Sequence, residues 1–209
     1  MLHIQVASSN PGKIAEFRLG IQQWQEQGRS FPLAVEPLPG FATLPSCEED
    51  AGSFAGNAAK KALHYSHLVS GLVSADDSGL EVGALGGVPG VSSHRFAGSG
   101  ATDADNNAKL LRQMLGIPTA KRMARFVCEL ALAREGRLLA QFRGVAEGIL
   151  LESPRGEGGF GYDPLFLDPE LHKTFAELSR EEKLQRSHSG RALRALLDWL
   201  AAQPSKTLQ

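Results

Sequence analysis

An apolar, strand-like run from Gly71 to Ala75 ends in two adjacent carboxylates, Asp76 and Asp77. Burying a carboxylate without a partner is costly, so a strand that ends in two of them has a metal to bind, a proton to move or a turn to cap. The alternative to a functional pair is an Asx-type turn at residues 77–79. Because adjacent side chains on a strand diverge, at most one carboxylate needs to face a ligand, and the other can brace the turn. We favour the functional interpretation.

The order of apolar patterns along the chain predicts an α/β fold with a mixed sheet. Strand patterns occur at residues 1–7, 33–38 and 72–75. Helical patterns follow them, one capped by Asn10 and Pro11 and the others spanning 53–69 and 103–115. A β-hairpin at 122–145, a C-terminal helix and a frayed tail at 204–209 complete the prediction. Ligands bind beyond the carboxyl ends of strands in such sheets, so we expect the 8–13 turn and the aspartate pair to lie side by side.

Composition excludes several classes of protein. The chain has 209 residues, with 22 basic and 23 acidic residues and a formal net charge of -1. A general nucleic-acid binder is normally basic, so we expect no nucleic acid polymer as a partner. No apolar run is long enough to span a bilayer, so we expect no membrane association. Two cysteines without a metal-like spacing, and no signal peptide, predict a cytoplasmic protein. We expect a single domain over residues 1–209.

The turn between the first strand and the first helix is a candidate anion site. Its residues are Ser8, Ser9, Asn10, Pro11, Gly12 and Lys13. Free N–H groups and the helix dipole favour an anion at such a place, and Lys13 adds a positive charge. The alternative is a plain capped helix with a solvated lysine. The full glycine-rich phosphate loop of P-loop enzymes is absent.

Acidic and basic side chains also surround the second predicted helix. Asn57 and Lys61 are one turn apart and therefore share a helix face, while Glu48 and Glu49 lie just upstream. Together with Asp77, these glutamates could supply the oxygen ligands that Mg²⁺ prefers. The alternative is a solvated acidic run before a helix N-terminus.

A second glycine-rich loop, at residues 154–164, contains a match to the dinucleotide-binding pattern G-x-G-x-x-G. We reject that interpretation because the pattern should open a helix directly after a strand, whereas Pro164 disfavours helical geometry at Asp163. The loop instead presents Phe160, Tyr162 and Asp163, which could pack against a base and bind its N–H edge. The alternative is a simple turn with core aromatic residues.

Taken together, these blocks resemble the inosine triphosphate pyrophosphatase family, the house-cleaning dITP/XTP pyrophosphatases. The resemblance rests on five blocks in order along nearly the whole chain: residues 8–13, Asn57-Ala58 with Lys61, residues 75–82, residues 85–91 and residues 158–164. It implies an elongated, two-lobed α/β structure around a long mixed sheet, with the site in the cleft between the lobes. It also implies Mg²⁺-dependent hydrolysis of ITP, dITP and XTP to the monophosphate and pyrophosphate by a homodimer.

The same resemblance implies roles for individual residues. Asp77 matches the proton acceptor and Mg²⁺ ligand of the family, and Glu49 falls near the second metal ligand, with Glu48 as the alternative. Residues 8–13 match the triphosphate loop, and Lys61 matches a phosphate-binding lysine. The residues that match substrate contacts are Ser78, Phe160, Gly161, Tyr162, Asp163, Lys183, His188 and Ser189.

The chain departs from the family pattern in three places. Ser8-Ser9 replaces a usual Thr-Gly, and Gly56 replaces a common glutamate before Asn57. Ser189 replaces an arginine that donates to the oxygen marking a deaminated purine, with Arg191 and Arg194 as possible substitutes. Two other functions therefore stay open, a pyrophosphatase of related fold that prefers pyrimidine nucleotides and a nucleotide-binding regulator without turnover.

Overall fold

The computed structural model describes residues 1–8, 10–29 and 32–203. Ser9 and the predicted tail at 204–209 lie outside the described residues. The strands are β1 (Leu2–Val6), β2 (Leu33–Pro37), β3 (Leu72–Val82), β4 (Met123–Arg134), β5 (Arg137–Leu150), β6 (Phe166–Asp168) and β7 (Lys173–Thr174). The helices are α1 (Pro11–Glu26), α2 (Phe54–Leu68), α3 (Asp103–Gln113), α4 (Arg180–Arg186) and α5 (His188–Ala202). Short 3-10 turns occupy several of the connections.

The strands form one mixed sheet in the order β2-β1-β3-β4-β5-β6-β7. Strand β1 pairs in parallel with β2 and β3, whereas β6 pairs antiparallel with β5 and β7. The predicted α/β class is therefore confirmed. Because Val6 at the end of β1 lies opposite Ser74, the aspartate pair comes just beyond the carboxyl end of β1. That is the level at which the 8–13 turn begins.

Strand β3 does not end where we expected. It continues through Asp76, Asp77 and Gly79 to Val82, so the predicted end at Ala75 and the alternative of an Asx-type turn are both wrong. The reason lies in packing, since Leu80 and Val82 resume the alternation of the strand and are fully buried in a core cluster. Burial of these two side chains overrides the turn preference of the Asp-Ser-Gly sequence.

The chain divides into two compact units. The first unit comprises residues 1–77, 128–144 and the described residues from 189 onward. Helices α1 and α5 pack in one core cluster of this unit, with Phe17, Trp24 and Leu196 among its buried side chains. A second cluster contains Ala58 and Ala62 of α2. The apolar faces of α1, α2 and α5 are buried in these two clusters.

The second unit comprises residues 78–127 and 145–188. Its core cluster joins Leu110 of α3 to Phe126, Phe166 and Phe175. The last strands and α4 were not predicted, because β6, β7 and α4 have only three, two and seven residues and show no readable period. No described helix is long and apolar enough to cross a membrane.

Candidate active site

The start of α1 has the capped geometry that the sequence predicted. The side chain of Asn10 accepts a hydrogen bond from the Gly12 N–H at 2.8 Å, and Pro11 occupies the first helical turn. The Asn10 N–H in turn donates to Ser8 Oγ at 3.1 Å. This compact turn places Lys13 in the first turn of α1, directly after the end of β1.

Lys13 forms an ion pair with Asp76 across the first unit. Its Nζ lies 2.5 Å from Asp76 Oδ2, and the two side chains are 25% and 9% exposed. Burial on its own would lower the pKa of Lys13, but the charge and hydrogen bond of Asp76 outweigh it and raise that pKa. Asp76 is therefore the carboxylate of the pair that holds the lysine of the 8–13 turn in place.

Asp77 projects to other partners, as expected for the neighbouring residue on a strand. Its Oδ2 accepts a hydrogen bond of 2.9 Å from Asn57 Nδ2. Asn57 is 1% exposed, and its Oδ1 accepts from the Ala51 N–H at 2.9 Å. A backbone N–H can only donate, so this contact settles which end of the Asn57 amide faces Asp77. The sequence had shown only that Asn57 shares a face with Lys61, and no signal in it revealed this bridge.

Opposing influences act on the Asp77 carboxyl. Burial raises its pKa above the ordinary value, while the hydrogen bond from Asn57 and the charge of Lys61 lower it. The negative charges of Glu49 and Asp76 raise it again. A carboxyl with a raised pKa is better able to accept a proton than an exposed aspartate, which is the property that a general base requires.

The ion pair of Lys61 distinguishes between the two candidate glutamates, Glu48 and Glu49. Its Nζ donates to Glu49 Oε1 at 2.8 Å, and both side chains are largely shielded from solvent. Glu48 is exposed, and its contact in the structure is a backbone one, with the Cys47 thiol donating to its carbonyl. Glu49 is therefore the glutamate that the structure associates with Lys61 and, through its charge, with Asp77.

The first unit thus contains a group of five charged side chains, which we name the acid–lysine cluster: Lys13, Glu49, Lys61, Asp76 and Asp77. Its three carboxylates outnumber its two ammonium groups, so a polyphosphate would meet a net negative charge here without a cation. Among the described residues, no group of three or more His, Cys, Asp or Glu side chains is arranged to hold a metal ion by itself. Asp77 and Glu49 fit Mg²⁺ nonetheless, because this ion commonly takes one or two carboxylates together with waters and substrate phosphates.

Phe160, Asp163 and Lys183 meet in the second unit. Lys183 Nζ donates to Asp163 Oδ2 at 2.5 Å and lies 4.2 Å from the centroid of the Phe160 ring. The same carboxylate oxygen accepts from the Phe160 N–H at 2.9 Å. Burial raises the pKa of Asp163, and the charge of Lys183 opposes that shift. Phe160 stays 43% exposed, so an aromatic surface and an ammonium group occur together.

The two aromatic residues of this loop differ in burial. Tyr162 is 4% exposed, belongs to the core cluster and donates its hydroxyl to the Ser93 carbonyl at 2.7 Å. The alternative interpretation of the loop, a simple turn with core aromatic residues, therefore holds for Tyr162 but not for Phe160. Asp163 begins a single 3-10 turn, Asp163–Leu165, which Pro164 permits because its missing N–H has no partner to lose there. The expectation that Pro164 disfavours helical geometry at Asp163 does not hold for this one turn.

The remaining predicted contacts lie in two elements, β3 and α5. Ser78 follows Asp77 within β3 and is half-buried. His188 begins α5 and stacks on Phe126, with ring centroids 4.7 Å apart. Ser189, the residue in place of the family arginine, donates to Glu16 Oε2 at 3.2 Å and so makes a contact with α1. Glu16 was not among the predicted residues, since nothing in its sequence context distinguishes it from a surface helix residue.

Comparison with known proteins agrees with the resemblance read from the sequence. The profile of the Ham1 family matches residues 4–199. A dITP/XTP pyrophosphatase of Geobacillus kaustophilus is 46% identical over 196 residues, covering 94% of this chain and 93% of the relative. Another, from an Exiguobacterium species, is 47% identical over 193 residues, covering 91% and 93%. The structure of a HAM1 protein from Coxiella burnetii matches with a TM-score of 0.85 at 37% identity, covering 97% and 100%. The predicted resemblance is confirmed.

Proposed function

Because this chain belongs to the Ham1 family, we propose that it is a Mg²⁺-dependent nucleoside triphosphate pyrophosphatase acting on ITP, dITP and XTP. The products are the nucleoside monophosphate and pyrophosphate, and the role is removal of deaminated purine nucleotides from the nucleotide pool. The observation that carries the proposal is the position of Asp77, which Asn57 holds by a hydrogen bond within the acid–lysine cluster.

The reaction is attack by water on the α-phosphorus. A bond forms between the water oxygen and that phosphorus, the bond to the bridging oxygen breaks, and pyrophosphate leaves. Asp77 orients the water and takes its proton, and the hydrogen bond from Asn57 holds its carboxylate in position for this role. Asp77 and Glu49 would hold Mg²⁺, which supplies neutralisation of phosphate charge at this site.

The lysines contribute by electrostatics. Lys13 and Lys61 are each paired with a carboxylate in the structure, at 2.5 and 2.8 Å. A bound triphosphate offers further anionic oxygens to these ammonium groups, and the N-terminal end of the α1 dipole, at the 8–13 turn, also favours an anion. Such preorganised charge stabilises the transition state, in which negative charge is spread over phosphate oxygens.

Base selection is assigned to Phe160, Asp163 and Lys183. The aromatic ring offers a surface for stacking, and the Lys183 ammonium group offers donors to the carbonyl oxygen of hypoxanthine or xanthine. Adenine carries an amino group at that position, which is itself a donor and cannot accept from a lysine. With Ser189 in contact with Glu16, we assign the reading of the base oxygen to Lys183.

A panel of nucleotides tests the proposal. Pyrophosphate release is measured with ITP, XTP, dATP and dTTP, in the presence and absence of Mg²⁺. We expect turnover of ITP and XTP with Mg²⁺ and little turnover of dATP. Clear preference for dTTP would favour the pyrimidine alternative, and tight binding of ITP without pyrophosphate release would favour the regulator.

Asp77→Asn tests the catalytic assignment within the same assay. The amide preserves the size of the side chain but cannot take a proton, so turnover should fall by roughly three orders of magnitude while nucleotide binding stays measurable. Near-normal turnover of this variant would contradict the role of Asp77. We also propose a homodimer in the cytoplasm, to be tested by light scattering and by cell fractionation.

A further inference from the structure

Both peptide groups of Gly161 form hydrogen bonds with side chains of α3. The Gly161 N–H donates to Asp103 Oδ2 at 2.6 Å. The Gly161 carbonyl accepts from Asn107 Nδ2 at 2.8 Å. Asp103 and Asn107 are one helical turn apart, so they present an acceptor and a donor on the same face of α3. We name this pair of contacts the α3 clamp.

The clamp acts on the residue next to Phe160. Gly161 has a φ of +62°, a backbone conformation that glycine adopts without the steric penalty of other residues. The surrounding space does not itself exclude a side chain here, since an added Cβ would meet nothing within 4 Å. On its N-terminal side lies Phe160, whose N–H is bonded to Asp163, and Asp163 is bonded to Lys183. The orientation of the Gly161 peptides therefore sets the direction of the Phe160 ring relative to Lys183.

We propose that Asp103 and Asn107 are positioning residues for base selection, because the α3 clamp holds Gly161 so that Phe160 and Lys183 meet the same purine. The inference rests on the proposed function, in which these two residues contact the base. Neither clamp residue touches substrate in this scheme. The clamp acts by removing alternative conformations of the loop, which lowers the ordering cost of binding.

The clamp is separate from what α3 needs for its own stability. The N-terminus of α3 is capped by Thr102 and Asp105, which form a reciprocal capping box. Asp103 is therefore available for the loop rather than committed to the cap. Asn107 is also poorly optimised as a stabilising residue, since its buried Oδ1 has no hydrogen-bond partner among the described residues.

The test compares variants of the clamp with a variant of the cap. Asp103→Ala and Asn107→Ala each remove one contact to Gly161, and Asn107→Asp removes the donor while preserving shape. Thr102→Ala is the matched control, because it weakens the same end of α3 without touching the loop. For each, kcat and KM are measured with ITP and with ATP, below the melting temperature of the least stable variant.

We expect the clamp variants to raise KM for ITP about tenfold with little change in kcat, since the lost hydrogen bond acts on binding. The KM for ATP should change less than twofold, so the preference for ITP over ATP, measured as the ratio of their kcat/KM values, falls about tenfold. Asp103→Asn should retain most of the preference, because its amide oxygen still accepts from Gly161. Thr102→Ala should lower the melting temperature and leave the preference unchanged.

Three results would overturn the inference, and they are distinguishable. If the wild type prefers ITP and all three clamp variants keep that preference, the clamp has no role in selection while the proposed function stands. The same holds if Thr102→Ala reduces the preference as much as the clamp variants do. If the wild type releases no pyrophosphate from ITP, the proposed function fails and the clamp has no base to select.

Discussion

Asn57 Nδ2 donates to Asp77 Oδ2 over 2.9 Å, while Asn57 Oδ1 accepts from the Ala51 N–H over the same distance. One buried amide therefore connects the proposed catalytic carboxylate to the segment that carries Glu49. Because this amide donates a hydrogen bond to one oxygen of Asp77, it fixes the orientation of the carboxylate, so the other oxygen points away from Asn57.

Asn57→Ala should reduce kcat/KM for ITP roughly tenfold to a hundredfold, the effect of losing one hydrogen bond to a charged group. The variant frees both Asp77 and the 49–51 segment from their common support. Pyrophosphate release measured with saturating Mg²⁺ checks the prediction. Gln141→Ala is the control, since Gln141 donates to the Ala55 carbonyl of the same helix and touches no carboxylate. Equal activity of the two variants would contradict the role of Asn57.

Glu49→Gln should increase the Mg²⁺ concentration needed for half-maximal activity by at least about tenfold, because a carboxylate ligand becomes a neutral amide. Glu48→Gln should leave it unchanged, since Glu48 is exposed and Lys61 pairs with Glu49. Calorimetric titration of each protein with Mn²⁺ gives a readout independent of turnover. A larger effect at Glu48 than at Glu49 would reverse the assignment. Removing the metal with a chelator should abolish activity in the wild type.

Lys13→Met should destabilise the fold by about 3 kcal/mol, because it leaves the Asp76 carboxylate buried without the lysine that it contacts. The double variant Lys13→Met, Asp76→Asn should recover part of that loss, since the uncompensated charge is then gone. Urea unfolding of the wild type, both single variants and the double variant measures the coupling. Strict additivity of the two changes would show that the pair is not coupled.

Asp168 gives the fold a pH-dependent contribution. Burial would raise its pKa, but the hydrogen bond from Arg186 and those from two backbone N–H groups outweigh burial and lower that pKa. A carboxyl whose pKa is lower in the folded state stabilises that state above its unfolded pKa, and the contribution is lost as the pH falls through the folded pKa.

Asp168→Asn should therefore cost about 1.5–3 kcal/mol of unfolding free energy at neutral pH. The difference from the wild type should shrink as the pH is lowered below the ordinary aspartate value of 3.8. Urea unfolding over a pH series checks both points. Glu170→Gln is the control, because Glu170 pairs with the same Arg186 at an exposed position and should change stability little at any pH. A difference that is independent of pH would refute the charge argument.

Gly56→Ala should lower stability by about 1–3 kcal/mol instead of giving the gain usual for a glycine in a helix. An added Cβ would lie 2.8 Å from Ala51 Cβ and 3.0 Å from Ser53 Oγ, so the 49–53 segment would have to move. Thermal unfolding measures the effect. Adding Ala51→Gly removes the closest contact and should recover part of the stability; no recovery would locate the strain elsewhere.

Much of the fold could be predicted because its elements carry local signals. The cap at Asn10 and Pro11, the helix α2 and the β4–β5 hairpin were all expected, and Glu135 and Gly136 adopt the positive φ angles that a tight hairpin turn requires. The extent of β3 was not predicted, because the burial of Leu80 and Val82 depends on neighbours that are distant in sequence.

Local signals were sufficient for the α/β class, through the order of strand and helix patterns, and for the 8–13 turn, which is one short segment. The assignment of Asp77 rather than Asp76 came from the family resemblance. Hydrogen bonds and ion pairs between residues that are distant in sequence could not be predicted from local signals. Lys13 reaches Asp76 across 63 residues, and Gly161 reaches Asp103 across 58. Which carboxylate braces a lysine, which glutamate accompanies Lys61 and which helix holds the Phe160 loop follow from how the sheet and helices pack, because packing alone brings such distant side chains within hydrogen-bonding distance.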